Sequence, residues 1–305
     1  MSQSSPLVTV GVCTYKRPEG IAKCLRSLID QQTSIPFDIV VTENDASQGS
    51  KAIIEQIAAE AKEKGIEIRY YCEPEPNISI ARNRCVAECR GEFLAFIDDD
   101  EWAEPDWLEK LVEVQREHNA DVVHGLALNE YVEGFPESMK GLLDFRKYWK
   151  EGMVVESTAT NTTLFRLSTL QCREDPFDIT FGKTSGEDTE CTFYLFQIGK
   201  AKIIQSLKPV VHDTFTLERG RLSYYIRRAY REGFLQSKIY RMYYYRQVGA
   251  KVNFKRATSS LFTSICHIPM LFYKPRRGFV IIARGLASFW GILAFYLHFG
   301  NIDHQ

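Results

Sequence analysis

From Leu7 to Ile97 the chain alternates short β-rich apolar runs with stretches whose apolar residues recur at helical spacing. Leu7 to Val12, Phe37 to Val41, Ile66 to Tyr71 and Phe93 to Ile97 read as strands. Ile21, Leu25, Leu28 and Ile29, then Ile53, Ile54, Ile57 and Ala61, and then Ala81 to Cys89 read as helices between them. Strands separated by helices of this length pair in parallel, each helix crossing a face of the sheet in the right-handed sense. The fold class is therefore α/β, a mainly parallel sheet flanked by helices on both faces.

Beyond Trp107 to Val114, which reads as a helix, the alternation loosens. Asp121 to Gly125 and Ala159 to Arg166 read as strands, separated by a Gly- and aromatic-containing segment without a clear period. Glu187 to Phe196 reads as a helix, Ala201 to Ile204 and Pro209 to His212 as extended, and Leu222 to Val248 as a long helix crowded with Tyr and Arg. After Gly249 the composition shifts: Leu261 to Tyr273 and Phe279 to Phe299 are strongly apolar, with Lys274, Arg276 and Arg277 between them. The 305 residues divide into a sheet domain over 1–220 and a helical C-terminal region over 221–305.

The net charge of -1 conceals a dipole, because after Lys200 there are 17 Lys and Arg against 4 Asp and Glu, and before it 21 against 35. A basic part of this kind faces an anionic surface, lipid or nucleic acid, while the acidic part is suited to holding cations. Eight cysteines are scattered without a CxxC pair and read as reduced core residues. The opening MSQSSPLVTV has neither a basic n-region nor an apolar run long enough for a secretory signal, so the N-terminus is expected on the cytoplasmic side.

In an open parallel sheet ligands bind beyond the carboxyl ends of the strands. The first strand is followed by Thr14, Tyr15, Lys16 and Arg17, the second by Glu43, Asn44 and Asp45, and the fourth by Asp98, Asp99, Asp100 and Glu101. A hydroxyl, an aromatic ring, basic groups and carboxylates thus meet at one rim, a set able to hold a base, a ribose and a metal-bound phosphate. No GxGxxG follows the first strand, so the Rossmann arrangement is not present. In extended geometry Asp98 and Asp100 lie on one side and can offer hard oxygens to Mg²⁺ or Mn²⁺; the alternative is a solvated acidic turn capping the next helix. Glu187 and Asp188, after Gly186, can equally be catalytic carboxylates or first-turn residues favoured by the helix dipole. His212 is either a metal ligand or an ordinary partly buried histidine. Arg82 and Asn83 open a helix where a guanidinium can pair with a phosphate or with a carboxylate.

Four segments in this order resemble one family: VGVCTYKRPE, VVTENDAS, NISIARNRCVAECRGEFLAFIDDDEW and GKTSGEDTECTF. They are similar to the GT-A glycosyltransferases of family 2 from about Val8 to His212, and among these most like exopolysaccharide glucosyltransferases of the succinoglycan type. The resemblance implies a UDP-sugar donor, with Thr14, Tyr15, Arg17, Glu43, Asn44, Arg82, Asp98 and Asp99 bordering the nucleotide sugar. It further implies Mn²⁺ or Mg²⁺ held at a DXD motif by Asp98 and Asp100, with His212 as a further ligand, and Asp188 as catalytic base beside Glu187. The implied reaction inverts the anomeric centre and moves a hexose, glucose from UDP-glucose, onto a polyprenyl-diphosphate-linked saccharide.

The tail suits such an acceptor. Phe279 to Phe299 is long enough to cross a bilayer, but Arg284 interrupts it, and flanking Lys and Arg favour helices lying in an anionic inner leaflet. A buried helical hairpin or an oligomer interface is the alternative. Two other functions stay open on residues alone. One is a metal-dependent nucleotidyltransferase on the same acidic rim. The other is a nucleic-acid-binding protein using Tyr224 to Arg246, although no RNP, KH or zinc signature supports it and no nucleic-acid partner is expected.

Overall fold

The computed structural model describes residues 6–142, 149–244, 246–272 and 274–299. Parts of the expected N-terminus, long helix and apolar run, among them Tyr245 and Tyr273, lie outside the described residues. In chain order the elements are β1 (Val8–Thr14), α1 (Pro18–Ile29), β2 (Phe37–Glu43), α2 (Lys51–Glu63), β3 (Ile68–Cys72), α3 (Ile78–Ala87), β4 (Phe93–Asp98), β5 (Glu101–Ala103) and α4 (Trp107–His118). There follow β6 (Val122–Tyr131), β7 (Met153–Val154), β8 (Thr163–Arg166), α5 (Leu167–Leu170), α6 (Glu187–Gln197), β9 (Ile203–Phe215), α7 (Leu222–Tyr243), α8 (Arg246–Cys266) and α9 (Pro275–Phe299).

Among the described residues nine strands form one sheet in the order β3-β2-β1-β4-β8-β6-β9-β5, with β7 paired to β9 beside that path. β1 lies parallel to β2 and to β4, and β2 parallel to β3. The second half is mixed: β8 runs antiparallel to β4 and β6, and β5 and β7 run antiparallel to β9. The reason is connectivity, because among the described residues no crossover helix separates β6 from β8 and the chain returns in the opposite sense. β9 is one strand where the sequence reads as two extended runs; Pro209 interrupts the apolar pattern without breaking the strand.

Side-chain alternation loads both faces of the sheet. Ile39 and Val41 on β2 and Ala95 and Ile97 on β4 pack with Ile21, Leu25 and Leu28 of α1. Their neighbours Val40, Leu94 and Phe96 pack on the other face with Cys85 of α3 and Cys191 and Leu195 of α6. At roughly 1.5–3 kcal/mol for each large buried aliphatic, these two layers supply the main drive for folding. All eight cysteines are free thiols.

The described residues fall into two compact units, those of Met1–Glu130 with Phe145–Thr214, and those of Tyr131–Asp144 with Phe215–Gln305. In the second unit α7, α8 and α9 pack together, and residues 139–142 are tied to them. Tyr225 Oη donates to the Met139 carbonyl at 3.1 Å, Arg277 to that of Lys140 at 3.1 Å and Arg284 to that of Leu142 at 2.9 Å. The helix starting at Leu222 stops at Tyr243, and α8 begins at Arg246.

Candidate active site

β1, β2 and β4 end level with one another, with Thr14 opposite Glu43 and Cys13 opposite Asp98. Because the three strands are parallel, the segments that follow them collect at one edge. α1 starts here, with Pro18 in its first turn. A Cβ on Gly20 would stand 2.8 Å from the Asp99 carbonyl oxygen, so a glycine is what lets this turn lie against the acidic loop.

The three aspartates have different surroundings. Thr14 Oγ1 donates to Asp99 Oδ2 at 2.8 Å, and Arg17 Nη1 donates to Asp99 Oδ1 at 2.8 Å, so the middle carboxylate is turned inward and engaged on both oxygens. Asp98 and Asp100 remain presented, with 47% and 23% of their side chains open. Arg17 also reaches Asp100 Oδ2 at 3.1 Å. Asp98 is densely surrounded yet half open. Its pKa is pushed up to about 7, first by desolvation and then by the charges of Asp100, Asp99 and Asp213, against the pull of Arg82. Glu101 is held well above the usual carboxylate range by burial and by Asp98 and Asp213. Its oxygens accept from Asn161 Nδ2 at 2.6 Å and from the Asp98 N–H at 3.3 Å.

Asp213 was not among the residues expected at the site. In the β5–β9 register Glu101 faces Asp213 and Trp102 faces His212. Successive residues of a strand point to opposite faces, so the register that turns Asp213 toward Asp98 turns His212 away. His212 stacks on Trp102, with ring centroids 3.8 Å apart and planes 3° from parallel, and its ring nitrogens face Glu104 at 2.6 Å and Glu130 at 3.1 Å. His212, expected beside Asp98 and Asp100, is engaged here with Trp102, Glu104 and Glu130. The signal for Asp213 was present as the residue after His212.

The second acidic segment is brought to the first by one guanidinium. Asn77 caps α3 by accepting from the Ser79 N–H at 3.0 Å, which sets the buried Arg82 one turn in. Arg82 Nη1 donates to Glu187 Oε1, and its Nη2 lies 3.7 Å from Asp98 Oδ1. Glu187 and Asp188 occupy the first turn of α6, where the helix dipole favours negative charge. Glu187 is buried, with Oε2 lacking a hydrogen-bond partner, while Asp188 is partly exposed and accepts on Oδ1 from the Thr189 N–H at 2.6 Å.

Glu43 and Asn44 turn inward. Glu43 Oε1 accepts from the Ser50 N–H at 2.8 Å and Oε2 from Tyr70 Oη at 2.7 Å, so this carboxylate anchors the start of α2. Asn44 Nδ2 donates to the carbonyls of Glu73 and Glu75 at 3.0 and 2.6 Å, and its Oδ1 accepts from the Asn77 N–H at 2.7 Å. These contacts shape the β3–α3 loop and leave Tyr15, 44% exposed with the Lys16 ammonium 5.0 Å over its ring, nearer the open edge.

Asp98 and Asp100 fit a hard divalent cation. They offer carboxylate oxygens, and like charges crowd Asp98 in a way that a cation relieves. Among the described residues no three His, Cys, Asp or Glu side chains form a ready-made cage, so phosphate oxygens and water would complete the shell. A two-carboxylate rim of this kind suits a nucleoside diphosphate bound through a metal.

The sequence pattern of Glycosyl transferase family 2 matches residues 9–168, which is β1 through the start of α5. Over 232 residues the chain is 34% identical to the succinoglycan biosynthesis protein ExoM of Rhizobium meliloti (strain 1021), covering 74% of this chain and 72% of that protein. The chain belongs to glycosyl transferase family 2. Family membership selects glycosyl transfer over the nucleotidyl transfer and nucleic-acid binding left open by residues alone. A more distant relative, the glucosyl-dolichyl phosphate glucuronosyltransferase of Haloferax volcanii, is 29% identical over 134 residues, 43% of this chain and 41% of that protein.

Solved structures agree on the fold. The mannosyltransferase PcManGT of Pyrobaculum calidifontis, in complex with GDP-Man and Mn²⁺, superposes with a TM-score of 0.62 at 15% identity, over 95% of this chain and 88% of that one. S. aureus TarS 1-349, in complex with UDP-GlcNAc, gives 0.51 at 17%, over 95% and 91%. The architecture is GT-A, as the sequence resemblance implied. In this family 2 glycosyltransferase the family match ends before α6, so the placing of Asp188 at the rim rests on the Arg82 bridge.

Proposed function

We propose that this enzyme moves a hexose, glucose from UDP-glucose, onto a polyprenyl-diphosphate-linked saccharide during exopolysaccharide or surface polysaccharide synthesis, with inversion at the anomeric carbon. The observation that carries the reading is Arg82, whose guanidinium spans Asp98 and Glu187 and so gathers both acidic segments at one rim. The succinoglycan relative supports the pathway class, the TarS complex a UDP-sugar and the dolichyl phosphate relative a lipid-linked acceptor.

Asp188, as carboxylate, takes the proton of an acceptor hydroxyl as that oxygen bonds to the sugar C1 from the face opposite the diphosphate. The C1–oxygen bond to the diphosphate breaks with its electron pair, and UDP departs. Glu187 and Arg82 hold the start of α6 so that Asp188 meets the acceptor. Asp98 and Asp100 would hold Mn²⁺ or Mg²⁺, which when bound offsets the charge gathering on the leaving diphosphate. Tyr15 receives the base at this edge, and Thr14, Arg17, Glu43, Asn44 and Asp99 shape it through the contacts described above.

The second unit attaches the enzyme to the cytoplasmic side of the inner membrane. α9 includes a stretch, Pro275–Leu297, with mean hydropathy 1.8. Phe254 and Phe262 on α8, Phe272 in the turn before α9, and Trp290 on α9 are exposed among Lys and Arg. Arg284 hydrogen-bonds the Leu142 carbonyl, which anchors α9 to protein and favours a helix lying in the leaflet over one crossing it.

A panel of nucleotide sugars, each with and without Mn²⁺, tests the reading through nucleoside diphosphate release and thermal stabilisation. The expected result is a selective, metal-dependent response to UDP-glucose; equal indifference to every donor would overturn it.

A further inference from the structure

α7 and α9 enclose a cleft of about 610 Å³ within the second unit. On α7, Tyr224, Arg227, Arg228 and Arg231 recur at spacings of three and four and share one face. Across the cleft on α9 stand Ala287 and Trp290, one turn apart. The helices approach closely below it, because a Cβ on Gly291 would lie 2.0 Å from the Tyr230 carbonyl oxygen. Backbone therefore meets backbone where α9 packs on α7 beside the cleft.

The three guanidiniums are not equivalent. Arg228 is committed to its own helix, with Nε donating to Glu232 Oε1 at 2.7 Å and Nη1 to Tyr224 Oη at 3.1 Å. Arg227 and Arg231 are exposed and have no hydrogen bond or ion pair among the described residues. Two free guanidinium forks one turn apart match two linked phosphoryl groups, since each can grip phosphate oxygens bidentately. Trp290 and Ala287 offer the opposite wall a surface for hydrocarbon, which inorganic pyrophosphate would leave unused.

We propose that this cleft binds the diphosphate head and first hydrocarbon units of a polyprenyl diphosphate, an inference that rests on the lipid-linked acceptor proposed above. The charge balance of the region favours such an occupant, with 17 Lys and Arg against 4 Asp and Glu after Lys200.

The test is flotation of the full chain with phosphatidylcholine vesicles carrying polyprenyl diphosphate, polyprenol, or phosphatidylglycerol at matched charge. Capture by the diphosphate vesicles should exceed capture by the other two by about tenfold, as expected for two charge-assisted contacts. The double variant Arg227→Gln, Arg231→Gln should lose that excess while keeping the thermal stabilisation given by UDP with Mn²⁺. The double variant Arg227→Lys, Arg231→Lys should keep only part of it. Equal capture by phosphatidylglycerol, full capture by the Gln variant, or displacement by single-stranded RNA as effective as by polyprenyl diphosphate would each overturn the assignment. Vesicle capture does not require turnover, so a failed cleft and a failed transferase reading give different results.

Discussion

Arg82 and Glu187 form a buried ion pair between α3 and α6 across 105 positions of sequence. Removing the acid leaves a guanidinium that is 7% exposed with only the weaker pull of Asp98 and Asp188 to offset its burial. Glu187→Ala should therefore lower unfolding free energy by about 3 kcal/mol, the scale for stripping one partner from a buried pair. Urea denaturation measures it. A loss under about 0.5 kcal/mol would mean that the pair is dispensable to the fold.

Asp188 sits beside that pair but is partly exposed and accepts hydrogen bonds from Thr189, so its chemistry is separable from folding. Asp188→Asn should reduce kcat by about a thousandfold, within the range for loss of a general base, and leave UDP-sugar affinity within about twofold. Single-turnover kinetics and donor titration check both halves. Normal turnover by the purified variant would remove Asp188 from the mechanism.

The outer aspartates and His212 make opposite predictions. Asp100→Asn should abolish the extra thermal stabilisation that Mn²⁺ gives in the presence of UDP, because one of two carboxylates offered to the cation is neutralised. Asp213→Asn should weaken it less, since the charge of Asp213 reaches the cation site through its effect on Asp98. His212→Phe should leave the Mn²⁺ response intact and lower stability by about 1 kcal/mol, through loss of the Glu104 and Glu130 contacts. Loss of the Mn²⁺ response in the His212 variant would restore the histidine to the cation site.

The pattern of residues made the first four strands and their helices legible because apolar period and length agree there, from Val8 through Asp98. β5 was not, since three residues within an acidic run carry no period. The antiparallel return of β8 was also hidden, because the segment between β6 and β8 gives no sign of its direction. At the site, sequence placed the right segments at the rim but could not assign side chains within them. Glu43, Asn44 and Asp99 face inward because of hydrogen bonds to Ser50, Tyr70, the Glu73 and Glu75 carbonyls, Thr14 and Arg17, partners set by tertiary contact. His212 and Asp213 were separable only through the β5–β9 register.

The remaining prediction concerns acid stability. His124 on β6 is buried, with Nδ1 2.7 Å from Thr163 Oγ1 and the Trp149 ring edge-on at 5.7 Å. Burial lowers its pKa from 6.5 to about 4. Above pH 6.5 the imidazole is neutral in both folded and unfolded chains and stability does not depend on its titration. As pH falls from 6.5 to 4 the unfolded chain takes up a proton that the folded one refuses, so stability drops by about 3 kcal/mol across that window and then levels. Asp98 and Glu101, whose pKa values are raised, act in the opposite sense, because the folded chain takes up their protons first. The measurement is therefore the difference between wild type and His124→Asn in urea melts from pH 7.5 to pH 4. The variant should lose less stability than wild type between pH 6.5 and pH 4, and parallel curves would show that His124 protonates without resistance in the folded protein.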